Sequence, residues 1–256
     1  MKVTVCELPN EQDLLEKAWR GLVKHARGQR SQVVLLPEMP FSGWLAQTNE
    51  VRVDRWAEAV RAHEDWILKM KELAPAIVIS TRPVLHQGKR ENVGLVWSIE
   101  RGILDAHAKY YLPDEPGFWE ASWYSRGSGE FISIDTSKCK IGLLICTELW
   151  FNKHAREYGK QGIQLLACPR ATGRSTVEKW VVGGQAAAVV SGAFCISSNR
   201  AGTTSDGGDF GGVGWIIEPD GNVLGLTSPE KPFLTLDLDL SEAEQAKKTY
   251  PRYVAD

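Results

Sequence analysis

The sequence predicts an α/β fold with mixed β-sheets covered by helices, and three observations carry that prediction. Short apolar runs alternate with longer segments of helical apolar spacing. Strand-like runs outnumber helical ones, which favours two packed sheets over one. Hairpin signals are added to the alternation, with PDGN between GWIIE and NVLGL the strongest, and these bring antiparallel pairs into the sheets. The 256 residues are enough for one large domain with a good core, and no repeat, low-complexity tract or Ser/Pro-rich linker divides them. A single domain over residues 1–256 is therefore expected.

The elements follow in order. VTVCEL is a short apolar run suited to a buried strand. Residues 10–29 place Leu14, Leu15, Ala18, Trp19, Leu22, Val23 and Ala26 at helix spacing against a charged opposite face. VVLLPE is a strand that stops at Pro37, and a second amphipathic helix runs through Trp56, Ala59, Val60, His63, Ile67 and Met70. AIVIST, NVGLVWSI and GILDAHAKYYL are strands, the last two joined by a turn at Glu100–Gly102. In the second half KIGLLIC is a strand, FNKHAREYGKQG a helix closed by glycine, and IQLLACP a strand. Residues 175–190 read as a helix that Gly183 and Gly184 weaken. AFCISSN, GVGWIIEP, NVLGL and FLTLDLDL complete the strands, SDGGDFGGVG reads as a tight glycine loop, and the tail from Ser241 to Asp256 shows no clear period.

Composition excludes several function classes. A formal net charge of −2 gives no electrostatic footprint for nucleic acid or an acidic membrane. The start MKVTVCELPN has no apolar core of signal-peptide length, and no apolar run spans a bilayer, so a cytoplasmic protein is expected. Cys6, Cys139, Cys146, Cys168 and Cys195 are odd in number, form no CxxC and mostly sit in strand-like runs, which fits reduced thiols. His25, His63, His86, His107 and His154 are scattered without HxH or HExxH spacing, so neither a metal nor a cofactor is expected.

Three residues stand where reactive groups gather in α/β proteins, at the ends of apolar strands. Glu38 closes VVLLPE, Lys109 lies near the end of GILDAHAKYYL, and Cys146 closes KIGLLIC and opens a helical segment. Singly, each has an ordinary reading as a solvated carboxylate, a snorkelling lysine or a core thiol. Together they are the parts for acyl transfer. A thiol at a helix start beside a lysine has a lowered pKa. Glu38 takes its proton and returns it to the leaving amine. Lys109 and the backbone N–H of Thr147 stabilise the oxyanion.

The order Glu, Lys, Cys in LLPEMPFSG, KYYLPDE and IGLLICTELWF resembles the nitrilase superfamily of carbon–nitrogen hydrolases. LLACPRAT, FCISSNRAG and GGVGWIIEPDGNVLG resemble its later strand, strand–Asn–Arg–Gly and glycine-rich strand-plus-hairpin motifs, so the likeness covers almost the whole chain. The resemblance implies a four-layer α-β-β-α sandwich with two mixed sheets between helix layers. It also implies a homodimer or higher homo-oligomer, here through the helix after Cys146 and the C-terminal tail, residues 239–256. It implies a second glutamate between Lys and Cys. Glu120, seven residues before Gly127, fits the family pattern, and Glu115 competes with it.

The chain departs from the family in places. Thr147 stands where an aromatic is common, followed by the expected acid, Glu148, which we pair with Arg156 as support for the nucleophile's helix. No arginine follows Cys146 closely, so Arg170 at the next strand end is the candidate partner for a substrate carboxylate or carbamoyl oxygen. Of ten tryptophans, Trp44, Trp119, Trp123 and Trp150 lie near the site residues in sequence, with Trp119 and Trp123 the candidates for substrate contact. Trp19, Trp56 and Trp66 read as packing.

The expected activity is hydrolysis of a small amide or N-carbamoyl compound through a Cys146 thioester. The alternative is a nitrilase working through a thioimidate, which the CTE sequence keeps open. A binding protein that retained the fold without turnover is opposed by the intact Glu, Lys and Cys. A Cys–His protease is opposed by His154, eight residues after the thiol.

Overall fold

In β1 (Lys2–Pro9) alternate residues face opposite ways: Val3 and Val5 enter one core, Cys6 and Leu8 another. That strand is central to the molecule, because two sheets meet on it. The structure, a computed structural model, describes residues 1–204 and 207–255. Ser205 and Asp206 of the expected glycine loop, and Asp256 of the tail, lie outside the described residues.

The first sheet runs β5 (Gly102–Ala108), β4 (Lys89–Ser98), β3 (Ile77–His86), β2 (Val33–Leu35), β1 and β13 (Phe233–Asp237). β1, β2 and β3 are parallel, and β4, β5 and β13 are antiparallel additions. The second sheet runs β6 (Ile134–Asp135), β7 (Lys140–Leu143), β8 (Leu165–Arg170), β9 (Phe194–Thr203), β11 (Trp215–Ile217) and β12 (Val223–Leu226), with β10 (Asp209–Gly211) also on β9. Here β7, β8 and β9 are parallel and the rest antiparallel. The sheets join where β1 pairs with β9, from Glu7 opposite Asn199 to Pro9 opposite Ala201. Both sheets are mixed, as the hairpin signals require.

Helices cover both outer faces. α1 (Gln12–Gln29) and α2 (Val53–Lys69) lay Leu15, Trp19, Leu22 and Ile67 on Cys6, Val34, Val78 and Leu95 of the first sheet. α4 (Asn152–Lys160) and α5 (Val177–Ser191) cover the second. Between the sheets Val3, Val5, Leu35 and Ile79 share a core with Ile141, Leu143, Leu165 and Ala167. The layer order is helix, sheet, sheet, helix. α5 survives its two glycines because they are contact points: a Cβ at Gly184 would lie 2.8 Å from the Trp215 ring, and one at Gly183 3.0 Å from that of Trp150. Tertiary packing overrides the propensity.

Two segments differ from expectation. Within the glycine stretch, β10 pairs with β9 and buries Phe210, a strand too short to show a period. The tail contains α6 (Leu240–Ala246), capped by the Asp239 carboxylate accepting from the Ser241 N–H at 3.0 Å and burying Ala243 and Ala246. Beyond it, Arg252 donates to the carbonyls of Val189 and Ala246. Seven residues of helix are under two turns, which is why no repeat was visible. No helix among the described residues is long and apolar enough to cross a membrane.

Candidate active site

Glu38 leaves β2 just after Pro37, and the loop it opens is held from β9. Arg200 donates to the carbonyls of Glu38 at 3.0 Å and Ser42 at 2.9 Å, and also to Met39 and Asn10. The Glu38 N–H donates to the Arg170 carbonyl at 3.2 Å. Met39, with φ of 43°, turns the chain immediately behind the carboxylate. Lys109 leaves β5 and is pinned by backbone bonds from its N–H to Asn92 at 2.8 Å and from Gly127 to its carbonyl at 3.0 Å. Glu120 opens the short helix α3 (Glu120–Trp123).

These groups converge. The Lys109 ammonium donates to Glu38 Oε1 at 2.8 Å and to both Glu120 oxygens at 2.7 Å. Asn92 Nδ2 donates to the same Glu38 oxygen at 2.7 Å. All four side chains are buried. Glu38 Oε2 alone among the carboxylate oxygens of this cluster is buried without a hydrogen-bond partner among the described residues.

Cys146 starts a 3-10 turn, Cys146–Trp150, that connects β7 to α4. Its φ of 50° is the left-handed region, which lifts the side chain out of the strand direction, and Sγ lies 3.9 Å from the Ala171 carbonyl. Cys146, Thr147 and Glu120 line a cleft of about 350 Å³ with Pro113, Phe118, Trp150, Trp180 and Thr172. That volume suits a small ligand. Thr147, the second residue of the turn, lines the cleft beside the thiol.

Burial, with Glu38 adding to it, pushes the Cys146 thiol well above the ordinary cysteine range, against the pull of Lys109. This corrects the lowered value expected from sequence. One short turn and one shared lysine do not offset complete desolvation beside two carboxylates. At rest the group is a thiol. Burial opposes the Lys109 charge too, but Glu120 and Glu38 hold the ammonium well above the usual lysine range. Burial pushes the Glu120 carboxyl upward despite Lys109.

The structure thus brings Glu38, Lys109, Glu120 and Cys146 to one place with Thr147 beside them. Of the two competing glutamates, Glu120 meets the lysine, while Glu115 is exposed at the rim of the cleft. Arg170 does not reach the cleft. Its guanidinium is buried on the α5 side of β8, donating to Ser197 Oγ at 2.7 Å, Thr172 Oγ1 at 2.8 Å and the Val213 carbonyl at 2.6 Å, 4.0 Å over the Trp215 ring. A buried cation keeps its charge only with such partners, and these take the place of the expected substrate oxygen. Trp123 is also turned away, donating to the Thr48 carbonyl at 2.6 Å inside a cluster with Trp44 and Tyr124, and Trp119 packs against that cluster. The aromatic walls are Phe118, Trp150 and Trp180 instead.

Glu148 is buried and bonded to His107, Tyr110 and Ile145, whereas Arg156 donates to the Val254 carbonyl in the tail. The two support different segments and do not form the expected pair. His154 hydrogen-bonds the Tyr111 hydroxyl at 3.0 Å and stacks on Phe131. Sequence reasoning missed Asn92, Arg200 and Asn199. Asn199 accepts from the Thr172 N–H at 3.0 Å and donates to the Gly212 carbonyl at 2.7 Å, fixing the cleft wall. The available signal was the polar pair Asn-Arg closing an apolar strand in FCISSNRAG. Among the described residues, no group of three or more His, Cys, Asp or Glu could hold a metal ion.

Comparison with known proteins places the chain in a family. A family model described as carbon-nitrogen hydrolase matches residues 2–248. The chain is 27% identical over 239 residues to omega-amidase NIT2 of Mus musculus, covering 90% of this chain and 85% of that one. It is 25% identical over 253 residues to N-carbamoylputrescine amidase of Solanum tuberosum, covering 91% and 83%. The solved carbon-nitrogen hydrolase from Helicobacter pylori G27 superimposes with a TM-score of 0.87 at 20% identity, over 98% of this chain and 94% of that one.

Proposed function

The chain belongs to the carbon–nitrogen hydrolase family, and from that premise we propose that it is an amidase-type enzyme that hydrolyses a small amide or N-carbamoyl compound through a thioester on Cys146. One observation carries the reading: a buried ammonium bridges two carboxylates, one with an open oxygen, beside a thiol that faces a small cleft. Both relatives described above are named for amidase activity, which favours this substrate class over nitriles.

The steps follow from the resting state. Glu38 removes the Cys146 proton as sulfur attacks the carbonyl carbon, forming the C–S bond and moving the carbonyl π electrons onto oxygen. The Thr147 N–H donates to that oxyanion. The three Lys109 protons already point at Glu38 and Glu120, so the lysine contributes chiefly as a fixed positive charge in a dry site. Collapse of the intermediate breaks the C–N bond, and Glu38 returns the proton to the departing ammonia or amine. A water molecule, deprotonated by Glu38, then attacks the thioester carbonyl, and collapse of this second intermediate breaks the C–S bond, with Glu38 returning the proton to sulfur as the acid leaves. Glu120 keeps Lys109 charged and in place throughout.

Ammonia release from matched amides, N-carbamoyl compounds and nitriles tests the reading. Amides or carbamoyl compounds are expected to be turned over and nitriles not, with Cys146→Ala abolishing release. Equal or faster release from nitriles, or an active Cys146→Ala protein, contradicts it. The proposal extends to a homodimer formed through α4 and the tail. Light scattering on full-length protein and on protein truncated after residue 239 tests that extension, and an unchanged mass removes the tail from it.

A further inference from the structure

We propose that His107 is a positioning residue for the nucleophile, acting through Glu148; the inference rests on Cys146 being the group that attacks. The Glu148 carboxylate ties two strand ends together. Its Oε2 accepts from the N–H of Ile145, the residue before Cys146, at 2.8 Å. Its Oε1 accepts from the N–H of Tyr110, the residue after Lys109, at 2.7 Å. One carboxylate therefore sets the spacing between the ends of β5 and β7, and with it the spacing of the lysine and the thiol. His107 Nε2 stands 2.9 Å from each Glu148 oxygen, with side-chain exposures of 3% and 0% for the pair.

The ring is itself locked. Nδ1 lies 3.1 Å from the Glu130 carbonyl, and the ring packs at 4.6 Å on Phe131, which stacks at 3.5 Å on His154 of α4. The need for such a lock is local. Cys146 adopts a left-handed backbone that residues with a Cβ avoid, and such a conformation persists only where its surroundings hold it. Without His107 the carboxylate keeps its two backbone donors but loses its one side-chain donor among the described residues, the group that orients it in a dry site. A carboxylate free to rotate no longer fixes Ile145 and Tyr110 together. None of these atoms lines the cleft, so the pair acts on the thiol's placement and not on the substrate.

The test compares His107→Leu, which removes the donor, with His107→Gln, which keeps one toward Glu148. The leucine variant is expected to lose kcat about 10- to 100-fold with KM held within about twofold, because sub-ångström misplacement of a reacting group acts on the transition state. Iodoacetamide should alkylate its Cys146 more slowly, and the glutamine variant should recover most of both properties. A leucine variant that folds and keeps the parental kcat overturns the proposal. In the parent protein, nitrogen-15 NMR of the histidine ring should show a slowly exchanging proton on Nε2. An Nε2 without a proton overturns the proposal whether or not the leucine variant folds. Cys146→Ala, run alongside, separates the two readings: activity surviving there removes the hydrolase mechanism, while the ring proton reports on the His107–Glu148 pair alone.

Discussion

The floor and the rim of the cleft carry the same kinds of charged residue and treat them in opposite ways. On the floor, where Glu120 lines the cleft and Glu38 and Lys109 lie behind it, the three are buried, bonded through the lysine and braced from Asn92. At the rim, Glu115 and Lys179 are exposed, and neither side chain pairs with another group among the described residues. Buried charges need fixed partners, so the floor has one arrangement and that arrangement defines the chemistry. Exposed charges are free to meet whatever enters, so the rim shapes which molecules are accepted. Variants on the floor should therefore change kcat and stability, and variants on the rim should change KM selectively.

The largest effect is expected from Glu38→Gln, which keeps the side chain's shape and removes the base. Its kcat should fall by roughly 10²- to 10⁴-fold with the fold unchanged by circular dichroism. A loss below tenfold would put the base elsewhere. Lys109→Met comes next. It leaves two carboxylates buried against each other, and it should lower unfolding stability by about 3–5 kcal/mol as well as lower kcat by roughly 10²- to 10³-fold. Urea unfolding measures this, and an unchanged midpoint would mean that the floor is not held together by its charges.

A smaller effect belongs to the wall behind Glu38. His63 is buried, its Nδ1 donates to the Ala59 carbonyl at 2.8 Å, and its Nε2 accepts from the Phe41 N–H at 3.4 Å. Burial pulls it down from 6.5 to about 3. The folded state therefore keeps the ring neutral where the unfolded state protonates it. The resulting stability is complete above the unfolded value and drains away as pH falls toward the folded one. About 2 kcal/mol should be gone by pH 5. Thermal unfolding of parent and His63→Asn proteins between pH 7 and 4 checks this, with the variant expected to show the flatter profile. The smallest effect is at the rim. Lys179→Gln should raise KM about two- to tenfold for an amide with a carboxylate tail and leave a neutral amide untouched, as the loss of a solvated charge contact would. Equal effects on both would remove Lys179 from substrate selection.

The same contrast explains what could be read from the chain. Glu38, Lys109 and Cys146 were legible because each interrupts or closes a continuous apolar run, and Glu120 because the family resemblance implies a glutamate at that distance before Gly127. The layers were legible from apolar periods, even through Gly183 and Gly184, where the Trp215 and Trp150 rings supply the packing. Arg170 was misjudged because a strand end alone does not say which face a residue takes. Strand alternation puts it with Leu166 and Cys168, toward Trp215, where Ser197, Thr172 and the Val213 carbonyl take up its guanidinium. The direction of the Cys146 shift was illegible because it depends on depth and on two carboxylates that arrive from distant segments. Asn92 was missed because a polar residue at the head of an apolar strand has no local mark of its partner, 54 positions away.

The central claim is that Cys146 carries the acyl group, and intact-mass analysis of the parent protein, acid-quenched during turnover of a set of small amides, N-carbamoyl compounds and nitriles, tests it most directly. An added mass equal to the acyl portion of one substrate, mapped to the peptide containing Cys146 and absent in Cys146→Ala protein, is the predicted result. An adduct on any other residue, or an adduct that persists in the alanine variant, contradicts the account.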